Sequence, residues 1–138
     1  MKGLRVFLAV LVGLVAGSVV NMGLVTIGPL VIPPPAGADV TTAEGLKASL
    51  HLFEGRHFVF PFLAHALGTL AGAVVAGLLA PAKSVVPAYV VGAIFLLGGI
   101  GNVAMLPAPV WFSALDLILA YVPMAWLGQA WAARLRPQ

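Results

Sequence analysis

Four long apolar segments, each with few polar side chains, dominate the pattern of the chain. Their approximate bounds are 6–28, 58–80, 85–106 and 110–132. A transmembrane α-helix needs about 20 mostly apolar residues, so each segment is long enough to cross a bilayer. Prolines such as Pro29, Pro81 and Pro107 separate the segments, because proline interrupts a helix. The pattern predicts an all-α integral membrane protein, with a four-transmembrane-helix bundle as a single transmembrane domain over residues 1–138.

One proline lies inside the fourth segment rather than between segments. Pro123 has no backbone N–H, and its ring clashes with the preceding helical turn. We therefore expect a kink at this position, which frees the carbonyl of Leu119 for another partner.

The connection between the first two segments, residues 29–57, is the longest polar stretch of the chain. Within it, Thr41 and Glu44 have the spacing of a capping box at a helix start. Beyond them, apolar and polar side chains recur at helical intervals on opposite faces. The apolar face carries Leu46, Leu50 and Phe53, and the polar face carries Lys47, His51 and Glu54. We expect a short amphipathic helix in this first extracytoplasmic loop, either on the membrane surface or folded over the bundle as a lid.

The composition indicates that most of the protein surface faces lipid. Charged residues make up only 8% of the chain, against about 25% in soluble domains, and so few charges do not cover a water-soluble surface. The basic residues are scattered singly, which argues against nucleic acid as a partner. The chain has no cysteine, which excludes disulfides, thiol redox chemistry and cysteine-ligated metals.

The distribution of lysine and arginine predicts the orientation of the bundle. With the N-terminus in the cytoplasm, five basic residues lie on the cytoplasmic side and only Lys47 and Arg56 on the outer side. The five are Lys2, Arg5, Lys83, Arg134 and Arg136. Because cytoplasmic loops carry the excess of lysine and arginine, we expect a multi-pass protein of the inner (plasma) membrane with both termini in the cytoplasm.

Glycine pairs with GxxxG spacing occur in the first two segments, at Gly13 and Gly17 and at Gly68 and Gly72. Further glycines lie in the third segment. In lipid, small residues let helices approach closely and gain van der Waals contact. These faces either pack the bundle itself or bind other chains. Besides the lipid bilayer, we expect a homo-oligomer or other membrane subunits as partners.

The strongest polar side chains of the four segments share one depth near the outer boundary. At a rise of 1.5 Å per residue, Asn21, His65 and Asp116 lie roughly 9–10 Å below that boundary, and Asn102 lies roughly 6 Å below it. Asp116 is the only acidic or basic (Asp, Glu, Lys or Arg) side chain between the ends of the segments. A carboxylate there persists by pairing, by binding a proton or by facing a wet cavity. We therefore expect a His65–Asp116 pair, with the two asparagines as hydrogen-bonding neighbours.

Three classes of function are compatible with this polar layer. The first is a binding or permeation site formed by Asn21, His65, Asn102 and Asp116, which binds a small ligand, an ion or a lipid headgroup; transport through it would require an oligomer. The second is an accessory or structural subunit of a larger membrane complex, in which the layer only fixes helix packing. The third and least favoured is an outer-leaflet enzyme with His65 as a general base, for which no nucleophile motif is present.

Three loop side chains, His51, Glu54 and His57, are metal ligands by type, but their spacing matches no compact ligand motif. An ordinary solvated face is the expected interpretation, and a contribution to the pocket is the alternative. The sequence assigns no metal, no catalytic residue and no cofactor.

Overall fold

The computed structural model describes residues 1–137, which are mostly helical and include no strand. Its six α-helices are α1 (Lys2–Val31), α2 (Ala43–Ser49), α3 (Val59–Leu79), α4 (Val86–Met105), α5 (Val110–Leu119) and α6 (Val122–Leu135). Short 3₁₀ turns at Leu50–Leu52 and Gly55–Phe58 connect α2 to α3. Four stretches are long and apolar enough to cross a membrane, namely α1, α3 with the turn before it, α4, and α5 together with α6. The prediction of an all-helical protein with four such stretches is confirmed.

The four stretches alternate in direction, so the bundle has two distinct ends. The end that carries α2 is called the loop end here, and the end where α1 begins and α6 finishes is called the terminal end. At the terminal end, Arg5 Nε donates to the Leu79 carbonyl at 3.4 Å, and Arg136 Nη2 donates to the Ala80 carbonyl at 3.5 Å. Both ends of the described chain therefore meet at the C-terminus of α3.

The first helix is longer than the sequence pattern predicted. It continues through Pro29 and ends at Val31, where the expected boundary was residue 28. Pro29 removes only one hydrogen bond of the helix, and the next turn is closed by the Ile32 N–H, which donates to the Gly28 carbonyl at 2.8 Å. Gly28 also packs against Phe60 of α3 so closely that a Cβ at this position would meet the ring. This contact holds the end of α1 in helical form.

The fourth stretch is broken before its proline rather than kinked at it. Ala120 and Tyr121 separate α5 from α6, and Tyr121 has φ −120° and ψ −76°, outside the helical region. Pro123 lies in the first turn of α6, where a missing N–H costs little because that group has no partner within the helix. The expected kink at Pro123 is therefore wrong in position, since the chain breaks earlier and a new helix begins around the proline.

The glycine pairs of α1 and α3 pack against each other within the chain. A Cβ on Gly17 would lie 2.6 Å from the Gly68 carbonyl oxygen, and a Cβ on Gly13 would lie 2.7 Å from that of Gly72. Only glycine allows this backbone separation, and the close approach gives the van der Waals contact that holds helices together in lipid. Both GxxxG pairs are thus used inside the bundle, and association with other chains stays a prediction.

Helix α2 and the turn after it pack across the loop end. Leu50 is buried with Phe58 and Phe112, and Leu46 and Phe53 pack against this cluster. The apolar side chains expected on one face of the loop helix therefore contact the bundle. Residues 39–53, called the lid here, thus cover the loop end, and their position relative to a membrane surface stays a prediction.

The lid is fastened by local hydrogen bonds. Thr42, not Thr41, is the N-cap of α2, and its hydroxyl accepts from the Gly45 N–H at 2.9 Å. The expected capping box at Thr41 is wrong because the Thr41 hydroxyl donates instead to Asp39 Oδ1 at 2.6 Å. The Asp39 N–H in turn donates to Ser49 Oγ at 2.9 Å, which ties the start of the lid to its end. Hydrogen bonds from the hydroxyl and the backbone N–H of Thr41 lower the pKa of the Asp39 carboxyl.

Candidate functional site

The expected pair between α3 and α5 is present. His65 Nδ1 lies 2.9 Å from Asp116 Oδ1 and 3.0 Å from Oδ2. The carboxylate side chain is only 4% exposed and the imidazole 19%. Since a carboxylate only accepts hydrogen bonds, Nδ1 carries the proton in this pair. The second ring nitrogen, Nε2, is then either a hydrogen-bond acceptor or, in the imidazolium, a donor.

A tyrosine that the sequence analysis did not assign to the site completes the pair. The Tyr121 hydroxyl donates to Asp116 Oδ2 at 3.1 Å. Its ring lies roughly parallel to the His65 ring, with centroids 5.9 Å apart and an angle of 27° between the planes. Asp116 therefore accepts from two buried or half-buried groups, which offsets the cost of holding a carboxylate inside a bundle.

The break in the fourth stretch positions this tyrosine. Tyr121 follows Asp116 by five positions, and a continuous helix places two residues at this spacing on different faces. The irregular backbone at Tyr121 turns the side chain back toward α3 and α4. Gly99 of α4 provides the space, because a Cβ there would overlap the phenol group. Three elements thus fix the hydrogen-bonding geometry of one carboxylate.

His65 faces a cavity of about 200 Å³, here called the polar cavity. The carboxamides of Asn21 on α1 and Asn102 on α4 line the same cavity, together with Thr69 and Gly98. The Thr69 hydroxyl is not free, because it donates to the His65 carbonyl of its own helix at 2.8 Å. Within residues 1–137, His65 Nε2 has no protein partner and is not sealed from solvent. It is therefore the polar ring atom available to a molecule in the cavity.

A second cavity of about 330 Å³, here called the vestibule, lies between the polar cavity and the lid. The two cavities share Asn21, His65 and Asn102, and the vestibule also reaches Asp116 and Ser113. Its other walls are mainly apolar and include lid and bundle side chains. These are Leu46, Leu50 and Phe53 from the lid region, and Phe58, Leu106 and Phe112 from the bundle. The site therefore has hydrogen-bonding groups in the polar cavity and mainly apolar walls in the vestibule, toward the lid.

The polar cavity is not fully enclosed at α4. Gly98 and Asn102 line it from α4 and are both exposed, whereas Asn21 on α1 is half-buried. A Cβ on Gly98 would meet nothing within 4 Å.

All four side chains of the predicted polar layer thus border connected cavities. Their role in ligand binding stays a prediction. The three loop side chains do not join them, because none of the three lines a cavity together with His65. Glu54 is exposed and pairs with Arg56 at 3.3 Å, and His51 is also exposed. His57 is buried, and its Nδ1 accepts from the Glu54 N–H at 2.8 Å.

The donor set favours hydrogen bonding over metal binding. Among the described residues, no three His, Asp or Glu side chains lie close enough together to hold a metal ion. Ser113 also borders the vestibule, but it makes no recorded hydrogen bond to the imidazole within residues 1–137, so no nucleophile–base contact of the kind used in acyl transfer is formed. The polar groups at the polar cavity are His65 Nε2 and the carboxamides of Asn21 and Asn102, which are hydrogen-bonding groups.

Comparison with protein-family models, with curated proteins and with solved structures finds no match to this chain.

Proposed function

We propose that the protein is a small multi-pass membrane protein that binds an amphiphilic small molecule, such as a lipid with its headgroup, at the loop end. The hydrogen-bonding end of the ligand lies against His65, Asn21 and Asn102 in the polar cavity. Its apolar part lies in the vestibule beneath the lid. With the termini in the cytoplasm of an inner-membrane protein, as the basic residues predict, this site faces the outer leaflet.

The observation that carries the proposal is the position of the His65 imidazole between Asp116 and the polar cavity. Asp116 holds His65 Nδ1 through both oxygens, which fixes the ring and leaves Nε2 at a cavity lined by two carboxamides. A layer that only fixed helix packing would be expected to use its hydrogen-bonding groups between helices. Here neither asparagine side chain makes a recorded hydrogen bond to the described residues. Binding sites commonly combine apolar walls with a few convergent polar groups in this way.

The proposed ligand is not restricted to one charge, because the hydrogen-bonding role of Nε2 depends on whether this atom carries a proton. A neutral imidazole offers a lone pair to a hydroxyl or an ammonium group, and an imidazolium offers an N–H to a phosphate or carbonyl oxygen. In both states Asp116 keeps its hydrogen bonds to His65 and Tyr121. The ligand class is therefore defined by amphiphilic shape and by one hydrogen-bonding group.

Because the chain has no cysteine, single introduced thiols test the proposal directly. Ser113→Cys places a near-isosteric thiol at the vestibule wall, and Ser18→Cys places one on an exposed surface of α1 as the control. A small charged methanethiosulfonate should label Ser113→Cys in delipidated protein and label it much more slowly in native membranes, where ligand occupies the site. Ser18→Cys, which faces acyl chains, should stay unreactive in membranes.

The proposal makes a further requirement of the imidazole. In a His65→Ala background, the protection of Ser113→Cys in native membranes should be lost. Equal labelling of Ser113→Cys in delipidated protein and in native membranes would overturn the proposal. So would protection that persists without the imidazole, because the lid alone would then explain it.

A further inference from the structure

The terminal end of the bundle carries basic side chains with no acidic side chain to balance them. Five cationic residues belong to this end: Lys2, Arg5, Lys83, Arg134 and Arg136. The four acidic residues of the chain lie elsewhere, since Asp39, Glu44 and Glu54 are in the loop and Asp116 is in the site. Such an end attracts anions, and the attraction is stronger at a membrane surface that contains anionic lipid.

Two of these cations are held at a fixed place by the backbone. Arg5 Nε and Arg136 Nη2 donate to the carbonyls of Leu79 and Ala80, which are consecutive residues at the end of α3. The two guanidinium groups therefore contact the same helix end. Each uses one nitrogen for a carbonyl, and the C-terminus of a helix favours nearby cations. The arginines are therefore positioned by α3 before any partner binds.

Each guanidinium keeps donors for an external acceptor. Arg5 is exposed, so its terminal nitrogens reach the surface. Arg136 is half-buried; its Nε is buried without an acceptor among residues 1–137 and Nη2 bonds the Ala80 carbonyl, so Nη1 is the donor that remains for an external acceptor. Guanidinium forks match the oxygens of a phosphate and form charge-assisted hydrogen bonds with it. The side chain of Leu79 beside them is 43% exposed, which offers an apolar surface at the same place.

We propose that Arg5 and Arg136 bind the phosphate of an anionic phospholipid, whose acyl chains lie along the apolar surface of the adjoining helices. The site is at the opposite end of the bundle from the polar cavity and does not depend on it. The backbone carbonyls orient the arginines, the phosphate bridges them, and the excess positive charge selects an anionic lipid over a zwitterionic one.

Native mass spectrometry of delipidated protein tests the site, with equal amounts of phosphatidylglycerol and phosphatidylcholine offered together. The wild type should retain phosphatidylglycerol in preference. Arg5→Gln/Arg136→Gln should reduce that retention by roughly tenfold or more, which corresponds to the loss of one or more hydrogen bonds to a charged group. Lys2→Gln/Arg134→Gln is the matched control, because it removes the same charge from the same end.

Three results would overturn the proposal. An equal loss of phosphatidylglycerol retention in the two double variants would show that the total positive charge, and not these two arginines, causes the retention. Equal retention of the two lipids by the wild type would remove the selectivity. Displacement of the lipid by excess inorganic phosphate would identify a site for free anions instead. If Arg5→Gln/Arg136→Gln does not fold, Arg5→Lys/Arg136→Lys replaces it, because lysine keeps the charge but has no guanidinium group. Phosphatidylglycerol retention equal to that of the wild type would then contradict recognition by the guanidinium groups.

Discussion

The hydrogen bonds to Asp116 lead to a quantitative prediction about two substitutions of similar shape, Asp116→Leu and Tyr121→Phe. The carboxylate accepts from both His65 Nδ1 and the Tyr121 hydroxyl. Leucine has a similar shape but no acceptor atom, so in Asp116→Leu neither donor keeps its partner, and an unsatisfied buried group costs about 1–3 kcal/mol.

The two substitutions should consequently be non-additive. In the wild type, Tyr121→Phe removes one interhelical hydrogen bond and should lower the free energy of unfolding by about 0.6–1.7 kcal/mol, the range found in membrane bundles. In the Asp116→Leu background the Tyr121 hydroxyl has no acceptor, so removing it should cost about zero or give a small gain. The coupling free energy should therefore be about 1 kcal/mol, above the 0.3–0.5 kcal/mol scatter of independent sites.

The assay is an unfolding titration with SDS in mixed micelles, followed by circular dichroism, for the wild type, both single variants and the double variant. Tyr89→Phe is the control, since Tyr89 is 38% exposed and makes no recorded side-chain hydrogen bond to the described residues. Tyr89→Phe should cost the same with Asp116 and with leucine at that position. An equal cost of Tyr121→Phe in the two backgrounds would refute the shared carboxylate.

Three further predictions concern packing, the tyrosine and the lid. Gly17→Ala should destabilise the bundle by about 1–3 kcal/mol in the same titration, because the added Cβ would lie 2.6 Å from a carbonyl oxygen of α3. The control Gly23→Ala should not destabilise it, because nothing lies within 4 Å of a Cβ at that position. Gly99→Ala should displace the phenol that occupies this space and shift the tyrosine ring resonances in NMR spectra, and unchanged resonances would contradict the packing. The pKa of Asp39 is lowered from its ordinary value of 3.8, so the ionised carboxylate stabilises the lid. This stabilisation is fully present at pH values above 3.8 and is lost as the pH falls through the lowered pKa. Thr41→Val should raise the NMR titration midpoint of Asp39, and an unchanged midpoint would exclude the hydroxyl as the cause.

The sequence predicted the parts of the fold that depend on apolar length. Four spanning stretches follow from runs of about 20 apolar residues, and the structure has them. The position of helix ends depends on contacts between helices, which a run length does not contain. For this reason α1 continues through Pro29, where the Gly28–Phe60 contact holds it.

The candidate site was predictable where chemistry restricts the choice of partner. A lone carboxylate at one depth has few partners in lipid, so the single histidine at that depth was the expected one. Tyr121 was not found because its contact requires the irregular backbone between α5 and α6. Pro123 indicated an irregular helix near this point, but the direction of the Tyr121 side chain depends on the space at Gly99.

The role of the loop likewise depended on tertiary packing. Leu46, Leu50 and Phe53 form an apolar stripe that suits a membrane surface and a lid equally well. In the structure this stripe packs against Phe58 and Phe112 at the loop end, and these contacts do not follow from the sequence pattern of the loop alone. The three ionisable loop side chains then point away from the polar cavity or into other contacts.

The most direct test of the account is a density map of the protein extracted together with its native lipids, with a bound antibody fragment to add mass. The account predicts non-protein density in the polar cavity, within hydrogen-bonding distance of His65 Nε2 and flanked by Asn21 and Asn102, with an apolar extension beneath the lid. An imidazole rotated away from Asp116, or a cavity filled by protein side chains alone, would contradict it.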